Sequence, residues 1–161
     1  MNLTFRKAER KDVPGIVQLL ADDKLGALRE DYRQPLPNQY YEAFERIDKD
    51  ENQELIIVED EEKNLIGTLQ LSFIQYLTYQ GGLRAQIEAV RIKKDLRKRG
   101  VGRDLFRWAI NRSKERGAHL LQLTTDKQRR EALNFYGNLG FVASHEGMKL
   151  YLHEYKSIAK Y

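Results

Sequence analysis

The 161-residue sequence contains no cysteine, and this absence excludes several kinds of chemistry. Without thiols the chain cannot form disulfides, use a cysteine nucleophile or build a cysteine-based zinc or iron–sulfur site. Histidine is also scarce. The three residues His119, His145 and His153 are far apart and lack HExxH spacing, so we expect no metal site.

Long apolar runs are missing as well. No stretch approaches the ~20 apolar residues that a membrane-spanning helix needs, and residues 1–12 contain no apolar core of a secretory signal. We therefore expect no membrane partner, with the cytoplasm as the default compartment. Hydrophobic residues make up 41% and charged residues 32% of the chain, which is typical of globular rather than disordered proteins.

The net charge of +4 is unevenly distributed. Residues 91–103 hold seven Lys or Arg side chains and one Asp, whereas the remainder of the chain is slightly acidic. A nucleic-acid-binding protein more often spreads its basic residues over a whole face. The local concentration therefore favours a site for a small anion, and we expect no nucleic-acid partner.

Apolar periodicity predicts one domain across residues 1–161, since neither repeats nor a linker interrupt the chain. The predicted elements are, in order, a strand at 2–8, helices near 13–20 and 40–47, strands at 55–58, 65–76 and 87–92, a helix from 101, a strand at 120–124, a helix at 129–139 and a terminal hairpin at 141–143 and 148–152. The three consecutive strands form an antiparallel meander. Because a strand–helix–strand unit makes a crossover, one further pair should be parallel, which gives a mixed sheet.

Residues 87–103, IEAVRIKKDLRKRGVGR, form the most informative stretch of the sequence. They begin as an apolar strand that contains Glu88 and continue into a basic turn with Gly100 and Gly102 before a helical pattern. Glycines let a backbone approach a diphosphate closely, and the amides and dipole of a following helix favour an anion. The nucleotide-binding patterns GxxxxGK[ST] and GxGxxG are both absent. Taken alone, the turn fits either an anion site or a solvated basic turn closed by a glycine cap.

A second motif lies downstream at residues 132–141, ALNFYGNLGF. Together with the turn at 97–102 it resembles the GNAT superfamily of acyl-CoA N-acyltransferases, which combines a (Q/R)xxGxG/A turn with an AxxFYxxxGF segment. The order of predicted elements is similar to that family over the whole chain. The resemblance implies an α/β (α+β mixed) fold whose sheet of six to seven strands, flanked by about four helices, splays open between the fourth and fifth strands. Acetyl-CoA would lie in this opening as a co-substrate, and no metal is implied.

The resemblance also implies a set of coenzyme-binding residues. They are Val90, Arg91, Ile92, Arg97, Lys98, Arg99, Gly100, Val101, Gly102, Arg103 and Arg129. The backbone amides of residues 98–103, flanked by Arg97, would hold the pyrophosphate. The backbone of residues 90–92 would pair with the pantetheine arm and polarise the thioester carbonyl. Several basic side chains of this set are candidates for the 3′-phosphate, although the family often has Asn at the position of Arg129.

Tyr136 matches the family tyrosine that lies near the coenzyme sulfur, and it is the candidate acid. A phenol with a pKa of about 10 stays protonated at neutral pH and can donate its proton to the thiolate leaving group. The alternative interpretation is a buried aromatic side chain on an apolar helix face, packed beside Phe135.

Glu88 is the candidate base, because a substrate ammonium must lose a proton before it can attack a thioester. The segment 87–90 resembles the IExV segment of family members that use this glutamate, with Ala89 in place of a frequent Asp or Asn. Period-two alternation predicts Glu88 and Val90 on one face of the strand, opposite Ile87 and Ala89. The alternatives are a cross-strand salt bridge or a glutamate on a solvated face of the sheet.

Together the motifs lead us to expect an acetyl-CoA-dependent N-acetyltransferase. It would acetylate a primary amine of a small molecule or peptide by direct attack in a ternary complex, because no cysteine can form an acyl-enzyme. The other functions left open are a non-catalytic acyl-CoA-binding regulatory module and nucleic-acid binding through the basic turn. The pairs Asp22–Asp23 and Glu30–Asp31 fit a cationic acceptor or, as the preferred interpretation, solvated surface. Homodimerisation, with a contribution from the tail at 153–161, also stays open.

Overall fold

Strands and helices alternate along the chain largely as the sequence predicts. A computed structural model describes residues 2–23, 26–127 and 129–152. The strands are β1 (Thr4–Lys7), β2 (Gln53–Glu59), β3 (Leu65–Gln75), β4 (Leu83–Ile92) and β5 (Leu120–Leu123). The helices are α1 (Val13–Ala21), α2 (Gly26–Arg29), α3 (Asn38–Lys49), α4 (Thr78–Gly81), α5 (Val101–Glu115) and α6 (Arg130–Asn138), with 3₁₀ turns at Arg10–Asp12 and Lys94–Leu96. Within these ranges, no helix has the length and apolar character needed to cross a membrane.

The five strands form one mixed sheet in the order β1-β2-β3-β4-β5. Strands β1 to β4 pair antiparallel as a meander, and β5 pairs parallel with β4. Helix α5 makes the crossover between β4 and β5 that a parallel pair requires. The predicted mixed α/β architecture is therefore confirmed.

The predicted terminal hairpin is wrong, so the described residues contain five strands rather than six to seven. Residues 141–152 carry neither helix nor strand. Phe141 packs against the α5 core, but the apolar side chains that follow lie in solvent, with Val142 81%, Met148 96% and Leu150 86% exposed. A two-stranded hairpin is marginal by itself and needs a neighbouring strand, but β5 pairs only with β4 within the described residues. The tail at 153–161 lies outside the described residues.

The alternation of side chains along β2 divides the interior into two cores. Ile56 and Val58 belong to the core that contains Leu105 and Phe106 of α5. Ile57 belongs to the opposite core, which α1 and α3 cover. Burying each such aliphatic side chain stabilises the fold by about 1.5–3 kcal/mol. The two cores pack against opposite faces of β2. The α5 core also contains Ile87 of β4, the strand that carries the predicted residues Glu88 and 90–92.

One carboxylate lies inside the α5 core. Glu54 of β2 is 2% exposed, and its Oε1 lies 2.7 Å from Nη2 of Arg112 and 3.0 Å from Nη1 of Arg116. Burial raises the pKa of Glu54, but the hydrogen bonds from Arg112 and Arg116 and the charges of Arg112 and Lys7 outweigh burial and leave the pKa below its usual value. This ion pair joins the C-terminal half of α5 to the sheet.

Candidate active site

Strand β4 contains a bulge at Ala89. Glu88 pairs with Gln70 and Arg91 pairs with Thr68, so two residues of β4 oppose the single residue Leu69 of β3. Ala89 has a φ of 54°, in the left-handed region that residues other than glycine rarely adopt. A bulge of this kind inserts one residue and redirects the side chains that follow it.

The bulge makes the predicted alternation wrong for Val90. Ile87 is buried in the α5 core, and Val90 packs against the same core rather than lying on the opposite face. Glu88 is exposed and faces the other way, as does its cross-strand neighbour Gln70. The extra residue at Ala89 therefore separates Glu88 from Val90.

The sheet opens where β4 leaves β5. The parallel pairs run from Arg84 with Leu120 to Ile87 with Leu123, and none follows among the residues that the structure describes. Beyond this point β4 remains paired with β3 as far as Ile92. One edge of β4 therefore leaves its neighbour from Glu88 onward, which is the splay expected between the fourth and fifth strands.

The glycine turn lies at the mouth of this opening. Gly100 is the N-cap of α5 with a φ of 93°, and no described side chain caps the helix. A β-carbon placed on Gly102 would lie 3.8 Å from the Phe135 ring of α6 and 4.0 Å from Ile92. The first turn of α5 therefore lies beside both the end of β4 and helix α6, with its amides uncapped by described side chains.

The basic residues of the turn fall into two groups. Lys98, Arg99 and Arg103 are exposed, and Lys98 lies 3.8 Å from the equally exposed Glu131. Arg97 is also exposed, but it folds back, since its Nε donates to the Ile92 carbonyl at 3.0 Å. The first group can therefore reach an anion from solvent, whereas Arg97 fixes the start of the turn to the end of β4.

The acidic pair Asp22–Asp23 lies against the predicted coenzyme-binding arginines, and its preferred interpretation as solvated surface is wrong for Asp23. Asp23 lies 3.5 Å from Nη2 of Arg91 and 3.3 Å from Nη2 of Arg129, and Asp22 lies 3.6 Å from Arg97. Burial raises the pKa of Asp23, but the backbone amide of Gly26 and the two arginines lower it below its usual value overall. The α1–α2 connection is thus held to both walls of the opening.

Tyr136 lies in an aromatic cluster beside the opening. Its ring centroid is 5.4 Å from Phe106, 5.5 Å from Phe135 and 6.1 Å from Phe141. Burial raises the pKa of Tyr136 above its usual value, although the charges of Arg129 and Arg91 act in the opposite direction. Packing in this cluster is compatible with the predicted acid role, because a buried phenol stays protonated over a wide range of pH.

A family model supplies the assignment that this geometry points to. The model for the acetyltransferase (GNAT) family matches residues 22–141, which include the bulge, the opening, the glycine turn and Tyr136. The chain belongs to this GNAT family. No curated protein matches the sequence.

Solved structures share the GNAT fold of this chain. A transcriptional regulator from Bacillus halodurans C-125 is 52% identical, with a TM-score of 0.90 over 94% of this chain and all of that one. Glucosamine-6-phosphate N-acetyltransferase from Arabidopsis thaliana is 18% identical, with a TM-score of 0.76 over 95% of this chain and all of that one. A predicted acetyltransferase from Clostridium acetobutylicum, solved with acetyl-CoA, is 23% identical, with a TM-score of 0.70 over 94% of this chain and 97% of that one. The last two likenesses show the fold alone.

The GNAT opening brings most of the predicted site residues together. Its strand wall carries Glu88 and residues 90–92, its mouth carries residues 97–103, and α6 supplies Tyr136. Arg129 is the N-cap of α6 and its guanidinium contacts Asp23. The predicted residues therefore surround one opening, with Arg91, Arg97 and Arg129 already paired to the α1–α2 connection.

Sequence reasoning missed two glutamines of the GNAT site. Gln86 Nε2 donates to Oε1 of Glu88 at 2.8 Å, and Gln122 Nε2 donates to Oε1 of Gln86. The spacing of Gln86 and Glu88 on β4 was a usable signal, because residues two apart share a face of a strand. The pairing of Gln86 with Gln122 was not readable, because the register of β4 against β5 is not encoded in a local pattern.

Proposed function

We propose that this GNAT protein transfers the acetyl group of acetyl-CoA to a primary amine by direct attack within a ternary complex. The observation that carries the proposal is the position of Glu88. It is the first residue of β4 after the last described pair with β5, one residue before the bulge. A carboxylate, an open strand edge and an uncapped helix N-terminus are thereby combined at one opening.

The coenzyme is proposed to bind at the turn through backbone amides. Helix α5 has fifteen residues and no described side-chain cap, so its first-turn amides and dipole are available to a diphosphate. The exposed side chains of Lys98, Arg99 and Arg103 add positive charge. Gly100 fits this purpose, because the nearest described atom to a β-carbon there would be Nη2 of Arg103, at 3.7 Å. The residues present therefore fit an acyl-CoA at this end of the opening.

The strand wall is proposed to hold the acyl end. Residues 90–92 continue β4 beyond its last described pair with β5, and a strand edge that lacks a neighbour binds an extended chain by backbone hydrogen bonds. The bulge at Ala89 redirects the backbone at the start of this segment. An amide here would polarise the thioester carbonyl where negative charge develops.

Glu88 and Tyr136 are proposed as base and acid. Glu88 is exposed and makes no ion pair with any described residue, so its carboxylate is available to take a proton from the substrate ammonium, directly or through water. The phenol of Tyr136 would give its proton to the departing thiolate and regain one from solvent. The raised pKa of Tyr136 keeps it in the donating form at neutral pH.

A second function is favoured by one observation. The 52%-identical protein from Bacillus halodurans is named a transcriptional regulator. A non-catalytic module that binds acyl-CoA and regulates is therefore the alternative for this chain. Such a module would use the glycine turn and the strand wall but would have no need of Glu88 or Tyr136.

An amine panel separates the two functions. Purified protein is mixed with acetyl-CoA and single amines, among them polyamines, amino sugars, amino acids and peptides with a free N-terminus. Release of the CoA thiol and the mass of the product are then measured. We expect amine-dependent thiol release with an N-acetyl product for at least one class. Tight acetyl-CoA binding without turnover on any class would favour the regulatory module instead.

A further inference from the structure

We propose that Gln86 and Gln122 are positioning residues that hold the Glu88 carboxylate in place through a chain of two hydrogen bonds. This inference rests on the proposed role of Glu88 as base. The three residues are named here the Gln122–Gln86–Glu88 chain. Gln122 Nε2 donates to Gln86 Oε1, and Gln86 Nε2 donates to Glu88 Oε1 at 2.8 Å.

The backbone places these three side chains together. Gln86 and Glu88 are two residues apart on β4, ahead of the bulge, and therefore share one face. Gln122 of β5 is the register partner of Gln86 in the parallel pair. Cross-strand partners have their side chains on the same face. Glutamine is long enough to bridge both the step along β4 and the step between strands.

The direction of the hydrogen bonds follows from the charge at one end. An ionised carboxylate can only accept hydrogen bonds, so Gln86 must turn its NH₂ group toward Glu88. Its carbonyl oxygen then faces Gln122, which must in turn donate. A bond to a charged acceptor is stronger than one between neutral groups. The carboxylate thus fixes the orientation of both amides, and the two amides in return limit the rotation of Glu88.

The Gln122–Gln86–Glu88 chain crosses the apex of the opening. Gln86 and Gln122 pair one step before the last rung, which joins Ile87 to Leu123. The carboxylate is therefore tied to both strands at the point where they part. Its Oε1 is engaged by Gln86, and no hydrogen bond to Oε2 is made by a described residue, so Oε2 remains available for a substrate proton.

A second amide pair on the same face supplies the matched control. Gln70 Nε2 donates to Gln53 Oε1 at 2.6 Å, and Gln53 Nε2 donates to Asp50 at 3.1 Å. Gln53 is half-buried like Gln86, but its side chain makes hydrogen bonds with Asp50 and Gln70 and not with Glu88. Replacing Gln53 by Met removes amide hydrogen bonds of the same kind without touching the Gln122–Gln86–Glu88 chain.

The test compares Gln86→Met, Gln122→Met and Gln53→Met with the wild-type protein. Met keeps the length of Gln and removes its hydrogen bonds. With the best amine of the panel, we expect Gln86→Met to lower kcat roughly tenfold or more and Gln122→Met to lower it roughly threefold, as the loss of a charged and a neutral hydrogen bond would predict. The KM for acetyl-CoA and the unfolding midpoint should stay at wild-type values in both, and Gln53→Met should leave kcat unchanged.

A double mutant separates positioning from general damage to the fold. If Gln86 acts only through Glu88, adding Gln86→Met to Glu88→Gln should produce little further loss of kcat, because interacting residues are not additive. A variant that reverses the chain adds a second check. Gln122→Glu can only accept when ionised, so it should turn the Gln86 carbonyl toward Glu88 and lower kcat at least as much as Gln86→Met.

The outcomes distinguish this inference from the function on which it rests. If Glu88→Gln keeps the wild-type kcat, Glu88 is not the base and both ideas fail. If Glu88→Gln is impaired but Gln86→Met keeps the wild-type kcat, only the positioning chain is overturned. It is also overturned if the losses of Gln86→Met and Glu88→Gln simply multiply, or if Gln86→Met raises the KM for the amine without lowering kcat.

Discussion

Ile87 and Leu123 form the last described rung between β4 and β5, and Glu88 is the next residue of β4. The proposed base therefore lies at the apex of the opening, where the strand wall begins. Pairing with β3 continues through Gly67 and Ile92, so the wall beyond Glu88 keeps a strand partner on its other edge. A carboxylate at such an apex has a rigid support and an open side at the same time.

Gly100 and Gly117 offer a matched pair for testing the coenzyme turn. They have φ angles of 93° and 77°, and a β-carbon at either position would meet no described atom closer than 3.7 Å. Alanine at either position should cost about 1 kcal/mol of unfolding free energy, because both require the left-handed region. Only Gly100→Ala should also weaken acetyl-CoA binding, by roughly tenfold or more, equal to about 1.4 kcal/mol. Isothermal titration calorimetry checks this, and equal affinities in the two variants would contradict a coenzyme site at the turn.

Tyr136→Phe should lower kcat by roughly 10²-fold, within the range for loss of an acid catalyst. The unfolding midpoint should hardly change, because the ring cluster with Phe106 remains. Since burial raises the pKa of Tyr136, the phenol should stay protonated up to at least about pH 10.

The check for Tyr136 is a pH–rate profile of wild type and variant, with Tyr41→Phe on α3 as a control that should keep wild-type rates. The acid assignment would be wrong if Tyr136→Phe kept the wild-type kcat. A rate loss of the wild-type protein that began below pH ~10 and disappeared in the variant would instead contradict the raised pKa of Tyr136.

Ala89 has a strained backbone conformation, so replacing it by Asn and by Val should change the stability in opposite directions. Asn tolerates the left-handed region better than Ala, whereas a β-branched residue is a strong outlier there. Given the φ of 54° at Ala89, we expect Ala89→Asn to raise the unfolding free energy by about 0.5 kcal/mol and Ala89→Val to lower it by about 1–2 kcal/mol. Urea denaturation measures both changes, provided that the dependence of the unfolding free energy on urea concentration is the same in all three proteins. A stabilising Val would show that the bulge does not constrain this position.

Local patterns in the sequence were sufficient for the meander, the crossover and the glycine turn. The continuous apolar run 55–58 of β2 and the helical spacing in α5 are short-range signals that the fold keeps. The family often has Asp or Asn at the position of Ala89, residue types that tolerate the left-handed backbone found there. Strict period-two alternation, however, does not hold across a bulge. Because of this one inserted residue, Val90 lies on the face opposite to the predicted one.

The sequence does not predict which residues distant in the chain contact one another. Asp23 lies in the α1–α2 connection, and its partners Arg91 and Arg129 are distant in the chain. Residues 141–152 have the apolar composition of strands, but a strand also needs a partner edge, which composition does not specify. The register that places Gln122 beside Gln86 is likewise not specified by a local pattern in the sequence. These parts of the site emerge only from the three-dimensional arrangement of the strands.

Glu54 should make stability dependent on pH. Its pKa is lowered in the folded protein, so the stabilisation is present above the unfolded pKa of about 4.3 and is lost as the pH falls through the lower folded pKa. Glu54→Gln should lower the unfolding free energy at pH 7 by about 2 kcal/mol, because charged hydrogen bonds are lost. The difference from wild type should shrink below pH ~4.

Glu115→Gln is the control for Glu54, because Glu115 also contacts Arg112, at 3.2 Å, but is exposed. A surface pair of this kind should contribute less than about 0.5 kcal/mol. Denaturation curves of the three proteins at several pH values give the comparison. An equal loss in both variants, or a Glu54→Gln deficit that persists at low pH, would contradict the buried ion pair as its source.

The most direct measurement for the proposed transfer reaction is the amine-dependent rate of CoA release by Glu88→Gln, compared with wild type on the same amine. Gln preserves the shape and the hydrogen bond with Gln86 but cannot take a proton, so we predict a loss of kcat of roughly 10²- to 10⁴-fold, with little change in the KM for acetyl-CoA. An unchanged kcat for Glu88→Gln would contradict the assignment of Glu88 as the base at the apex of the opening.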